Sequence, residues 1–208
     1  MGSKNYAPLI MYSWDIFKVS QLLAKKVPFE DLIFDRTDIL LELLLRNEFI
    51  LVERLLGRGF PIKESKFNYL TPILDSYTDE KSKYIDLLFK YLDPKEAINK
   101  KIVVTEGNSL SLVAKQKNQS IISRLSKLGG DWNAPNKLQQ TSVHFLLRNQ
   151  DSYSDELLEE LKTKDLDLDK EDKFNISPRD IIKSFLLVEG WGKENQKLLE
   201  AIKYENRG

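Results

Sequence analysis

The sequence contains no cysteine and a single histidine, His144. Those absences exclude a disulfide framework, a thiolate metal site, a cysteine nucleophile and any centre built from several histidines. Charge of one sign is also missing, since 32 basic residues face 32 acidic ones. Nucleic-acid binding by counterion release needs a clustered excess of Lys and Arg, so nucleic acid is not an expected partner. No apolar run approaches the roughly 18 residues that read as a membrane span. The apolar stretch from Tyr6 to Tyr12 is cut short by Trp14-Asp15, too soon for a signal-peptide core. Met1-Gly2 begins like a myristoylation site, but Tyr6 stands where Ser or Thr is wanted. The expectation is a soluble, cytoplasmic chain with no membrane partner. What remains is 208 residues at 41% hydrophobic content, which supports a folded core. No internal linker stands out, and one domain over 1–208 is expected.

The informative presence is a period. Pro28, Pro61 and Pro94 lie 33 residues apart. A second series marks helix starts at Ala7-Pro8, Asp38-Ile39, Thr71-Pro72, Asn108-Ser109, Thr141-Ser142 and Ser177-Pro178. Their first members are separated by 31, 33, 37, 33 and 36 residues. Ser or Thr ahead of Pro is good N-terminal chemistry: the hydroxyl caps an amide, and proline presets φ where its missing N–H does not matter. Within each period two short apolar stretches follow one another, such as Leu40 to Leu45 and then Leu51 to Leu56. Helices that short are marginal alone, and stacked pairs give them a continuous core.

The matched motifs are local. Thr141-Ser142-Val143-His144 and Thr71-Pro72-Ile73-Leu74 share one opening pattern, and Leu128-Gly129-Gly130-Asp131-Trp132-Asn133 forms a closing turn. Gly57-Arg58-Gly59-Phe60-Pro61-Ile62 is a looser version of that turn, and Asp172 to Pro178 leads into a last unit. In these features the chain resembles the ankyrin-repeat family over roughly residues 7 to 205. The resemblance implies an all-α, ankyrin-like α-solenoid of five to six helix-turn-helix repeats, closed by a C-terminal capping helix. It further implies that His144 bonds neighbouring turns. Segments ahead of each first helix become projecting fingers that, with those helices, form a concave binding surface.

Catalytic chemistry finds little support. His144 has no Ser, Cys or Asp arranged with it as a nucleophilic set. Asp165, Asp167 and Asp169 alternate like calcium ligands, but Lys170 and Ile176 stand where that loop needs Gly and Glu. Gly57 and Gly59 lack the Lys-Ser/Thr of a phosphate loop. Neither an enzyme, a metal nor a cofactor is expected. Trp132 is expected to be buried.

Charge is uneven along the chain. From Asp151 to Asp172 ten acidic residues face three lysines, whereas from Asp93 to Lys127 seven basic residues face three acidic ones. Each run reads either as a solvated face or as a steering field, the acidic one for a basic partner. Finger and first-helix positions give the candidate partner-binding residues: Phe67, Asn68, Leu70, Thr78, Asp79, Lys115, Gln116, Leu138, Gln140, Arg148, Asn149, Phe174 and Ile176. The expected function is non-catalytic binding of another protein by a chain that is monomeric when free. Two roles fit: an immunity or antitoxin-like protein that occludes a basic toxin, and a cytosolic regulatory adaptor or scaffold.

Overall fold

The structure is a computed structural model that describes residue 6 and residues 14–34, 37–116, 118–149 and 152–205. The expected first helix start, at Ala7-Pro8, lies outside the described residues. Thirteen α-helices and no strands are present among the described residues, so the fold is all-α. No helix exceeds nine residues, so each depends on its neighbours for stability. None is long and apolar enough to cross a membrane. The chain divides into two compact units, residues 1–93 and 94–208.

The first unit holds α1 (Ile16–Ala24), α2 (Ile39–Leu45), α3 (Phe49–Gly57), α4 (Thr71–Leu74) and α5 (Ser82–Leu88). Asp38 caps α2, its Oδ1 accepting the Leu41 amide at 2.8 Å. α2 packs on α3 and on α4, while α1 packs on α3. Leu40, Leu43, Leu55, Leu74, Ile85 and Leu88 are all fully buried. Polar contacts fix the register between successive pairs. The other Asp38 oxygen accepts the Tyr69 hydroxyl, and Arg58 donates to the Leu23 and Val27 carbonyls at 2.7 and 3.3 Å. Burial holds the Asp38 carboxyl above its ordinary pKa, against the lowering effect of the Tyr69 hydrogen bond.

The second unit holds α6 (Pro94–Asn99), α7 (Ser109–Val113), α8 (Gln119–Lys127), α9 (Ser142–Asn149), α10 (Asp155–Lys162), α11 (Pro178–Leu186), α12 (Trp191–Glu194) and α13 (Gln196–Ala201). α7 packs on α8 and α9, and α9 packs on α11. α8 packs on α10, and α10 on α13. The first helices therefore form one row and the second helices another. Trp132 is buried, and its indole Nε1 donates to Ser126 Oγ at 2.8 Å. Ser126 Oγ donates in turn to Glu160 at 2.8 Å, and Lys164 pairs with Glu160 at 2.6 Å. This polar chain joins α8 to α10 inside the second row. α13 closes the unit by burying Leu198 and Ala201 against α10.

Five of the six expected starts coincide with α2, α4, α7, α9 and α11. The capping differs at one: α4 is preceded by Leu70, which makes no side-chain cap, and the buried Thr71 hydroxyl has no partner. The three equally spaced prolines are not equivalent. Pro94 opens α6, Pro61 lies in a loop, and Pro28 precedes a 3₁₀ turn at Phe29–Leu32. α6 itself fills the long interval between the starts of α4 and α7.

Candidate binding surface on the finger turns

Each first helix of the second unit is preceded by a tight turn. Two of them have the same chemistry. Asn136 Oδ1 accepts the amides of Leu138 and Gln140 at 2.8 and 2.9 Å, and the Asn136 amide donates to the Gln140 carbonyl. Asp172 Oδ1 accepts the amides of Phe174 and Ile176 at 2.8 and 3.1 Å, and its own amide donates to the Ile176 carbonyl. A short side-chain oxygen at the turn start thus satisfies amides that no strand partner reaches. The earliest turn, closed by Ile102 donating to Gly107, is one residue longer. All three place a non-glycine residue at positive φ: Glu106, Gln139 and Asn175.

Neighbouring tips are joined through the backbone. Lys137 donates its amide to the Thr105 carbonyl at 2.8 Å, and Lys173 donates to Leu138 at 2.9 Å. Side chains repeat the link lower down. Asn99 bridges to the backbone of Gly129 and Asp131, and Asn133 bridges in the same way to Asp165 and Asp167.

His144 is fully buried between two turns. Its Nδ1 accepts the Thr141 amide at 3.1 Å and lies 2.9 Å from the Thr141 hydroxyl. Nε2 therefore carries the proton and donates to the Ile176 carbonyl at 3.1 Å, in the next turn. Burial holds the imidazole pKa below its ordinary value, which suits a neutral ring with both nitrogens occupied. Among the described residues no group of His, Asp and Glu side chains is arranged to hold a metal ion.

The candidate residues separate by exposure. Phe67, Asn68, Leu70 and Gln140 are buried, so they do not present a surface. Phe67 packs edge-on with Tyr69, Asn68 Oδ1 accepts the Leu70 amide, and Leu70 is a core residue. Gln140 is drawn inward by Asp172, to which its Nε2 donates at 3.1 Å. Thr78 and Asp79 are exposed in the first unit. In the second, the Lys115 ammonium sits 4.4 Å over the Phe145 ring, and burial lowers its pKa. Gln116 and Asn149 are half-buried, Asn149 donating to the Phe145 carbonyl. Arg148 reaches Asp172 at 3.5 Å.

The apolar tip residues do face water. Leu138 is 42% exposed, Phe174 63% and Ile176 38%. Sequence reasoning missed Val103 and Val104, which stand at 69% and 81% on the earliest turn. It also missed Lys101, Lys137 and Lys173, all exposed beside those apolar residues. A signal was available: the three lysines recur every 36 residues, and Leu138 and Phe174 directly follow two of them.

The acidic run is largely engaged within the unit. Ion pairs join Asp155 to Lys197, Glu156 to Lys127, Glu159 to Lys162, Glu160 to Lys164, Asp169 to Arg179 and Asp172 to Arg148. Asp169 faces the guanidinium with both oxygens, so the calcium-like alternation holds an arginine. No family model matches this chain, and a search of curated proteins finds no match.

Proposed function

We propose that the chain is an ankyrin-like repeat scaffold that binds another protein without catalysing a reaction. Two rows of short helices and the turn-to-turn hydrogen bonds of the second unit support the repeat reading. One observation carries the binding reading: apolar side chains stand in water on three successive turns, at Val104, Leu138 and Phe174. A folded chain gains nothing by exposing such a series unless a partner covers it. Toxin occlusion and adaptor bridging both use a surface of this kind.

The test is a tagged chain expressed in its native cells, with any stoichiometric partner then purified and titrated calorimetrically. The reading expects a one-to-one complex that a V104S/L138S/F174S variant of unchanged thermal stability weakens by about 2 kcal/mol or more. Full affinity in the folded triple variant would refute it. The partner's identity separates the two roles.

A further inference from the structure

The tips carry charge as well as apolar surface. Lys101, Lys137 and Lys173 are exposed, one on each turn, and among the described residues none makes an ion pair or side-chain hydrogen bond. Most acidic groups of the neighbouring run are already paired with cations, so their field at the tips is reduced. Each tip thus offers a free ammonium beside an exposed apolar group: Val104, Leu138 or Phe174.

We propose that these three tips form a docking strip for an acidic polypeptide segment bearing apolar side chains, laid across successive turns. The proposal rests on the protein-binding reading above and names the partner's chemistry. The ammonium groups select carboxylates, and desolvation of the apolar groups supplies affinity. A uniformly anionic surface fits less well. Glu106 and Glu171 are exposed on two of the same turns and repel a lipid headgroup layer or a phosphate backbone. A polypeptide accommodates that mixture, because its charges and apolar groups are placed residue by residue. The same lysines disfavour a basic partner at this site.

The experiment uses the full chain and fluorescent synthetic peptides. One alternates Glu with Leu and Phe, a second replaces every Glu with Lys, and a third replaces the apolar residues with Ser. The acidic apolar peptide is expected to bind, with affinity falling as salt rises. K101E/K137E/K173E is expected to weaken it about tenfold or more, and V104S/L138S/F174S by a similar factor. Equal thermal unfolding of both variants and the parent confirms that folding is intact. The serine peptide is expected to bind far more weakly than the acidic apolar one.

Preferential binding of the lysine peptide at the tips overturns the acidic assignment and leaves the protein-binding reading standing. No binding of the acidic apolar peptide at about 1 mM overturns the proposal, and the native-partner experiment then decides the broader reading by itself. Co-sedimentation with vesicles of phosphatidylcholine and phosphatidylserine, lost in both variants while no peptide binds, replaces the protein with a membrane and overturns both.

Discussion

Replacing His144 removes a group that joins two turns, and the structure sets the size of the effect. In H144A the buried Thr141 amide loses its acceptor, at about 1–2 kcal/mol. The Ile176 carbonyl keeps the Asp172 amide but loses the imidazole, at about 1 kcal/mol. The cavity left by a fully buried ring adds about 2 kcal/mol. The sum is about 4–5 kcal/mol. In H144N the shorter side chain retains an acceptor for the Thr141 amide but does not span to Ile176, so about 2 kcal/mol is expected. Urea unfolding followed by circular dichroism measures both. The pH dependence adds a second check. Burial lowers the folded-state pKa below 6.5, so below that pH the unfolded chain takes up the proton first. The imidazole's contribution is complete above about pH 6.5 and is lost as pH falls toward the folded-state pKa. The parent should therefore lose stability between pH 7 and 5 by more than H144N does. Identical pH dependence, or a cost below about 1 kcal/mol in H144A, would show that the ring joins nothing.

Two further substitutions probe the second helix row. Ser123 on α8 is fully buried and its hydroxyl has no partner. S123A should raise the urea midpoint, by about 0.5–1 kcal/mol in stability, and a loss would mean that the hydroxyl is satisfied. Glu160 links Ser126 to Lys164, so E160A should cost about 2–3 kcal/mol by leaving Lys164 and the Ser126–Trp132 pair without their shared acceptor. Trp132 fluorescence during unfolding should report the loss, and an unchanged midpoint would place the stabilisation elsewhere.

How much was legible depends on the range of the interaction. The starts of α2, α7 and α11 were readable because capping is local: Asp38, Asn108 and Ser177 each accept an amide three residues ahead. His144 was readable for the same reason, since its motif contains the cap that it completes. The partition of the finger residues was not local. Leu138 and Phe174 occupy corresponding tip positions and both face water, as expected of finger residues. Phe67 and Leu70 belong to a segment that folds onto its own core, and no pattern in residues 63–70 distinguishes that outcome. The equal spacing of Pro28, Pro61 and Pro94 misled for a related reason. Spacing records distance along the chain, whereas a proline's role depends on whether a helix follows it.

Linear charge counting fails in the second unit because the fold sorts its acids and lysines differently. Asp172 shows how. Burial alone would raise its pKa, but Gln140, the amides of Phe174 and Ile176, and the Arg148 charge together hold it below the ordinary value. An ionised Asp172 therefore shapes the turn, and its charge is met before any partner arrives. Asp169 with Arg179 and Glu160 with Lys164 follow the same course. Lysines at the tips have no equivalent task, since their backbone amides already supply the turn-to-turn links and their side chains extend beyond them. A stretch with seven excess negative charges in sequence can thus border a surface whose unengaged charge is positive. The sign of a binding surface follows from which ions the fold has left unpaired, and the net count along the chain does not determine it.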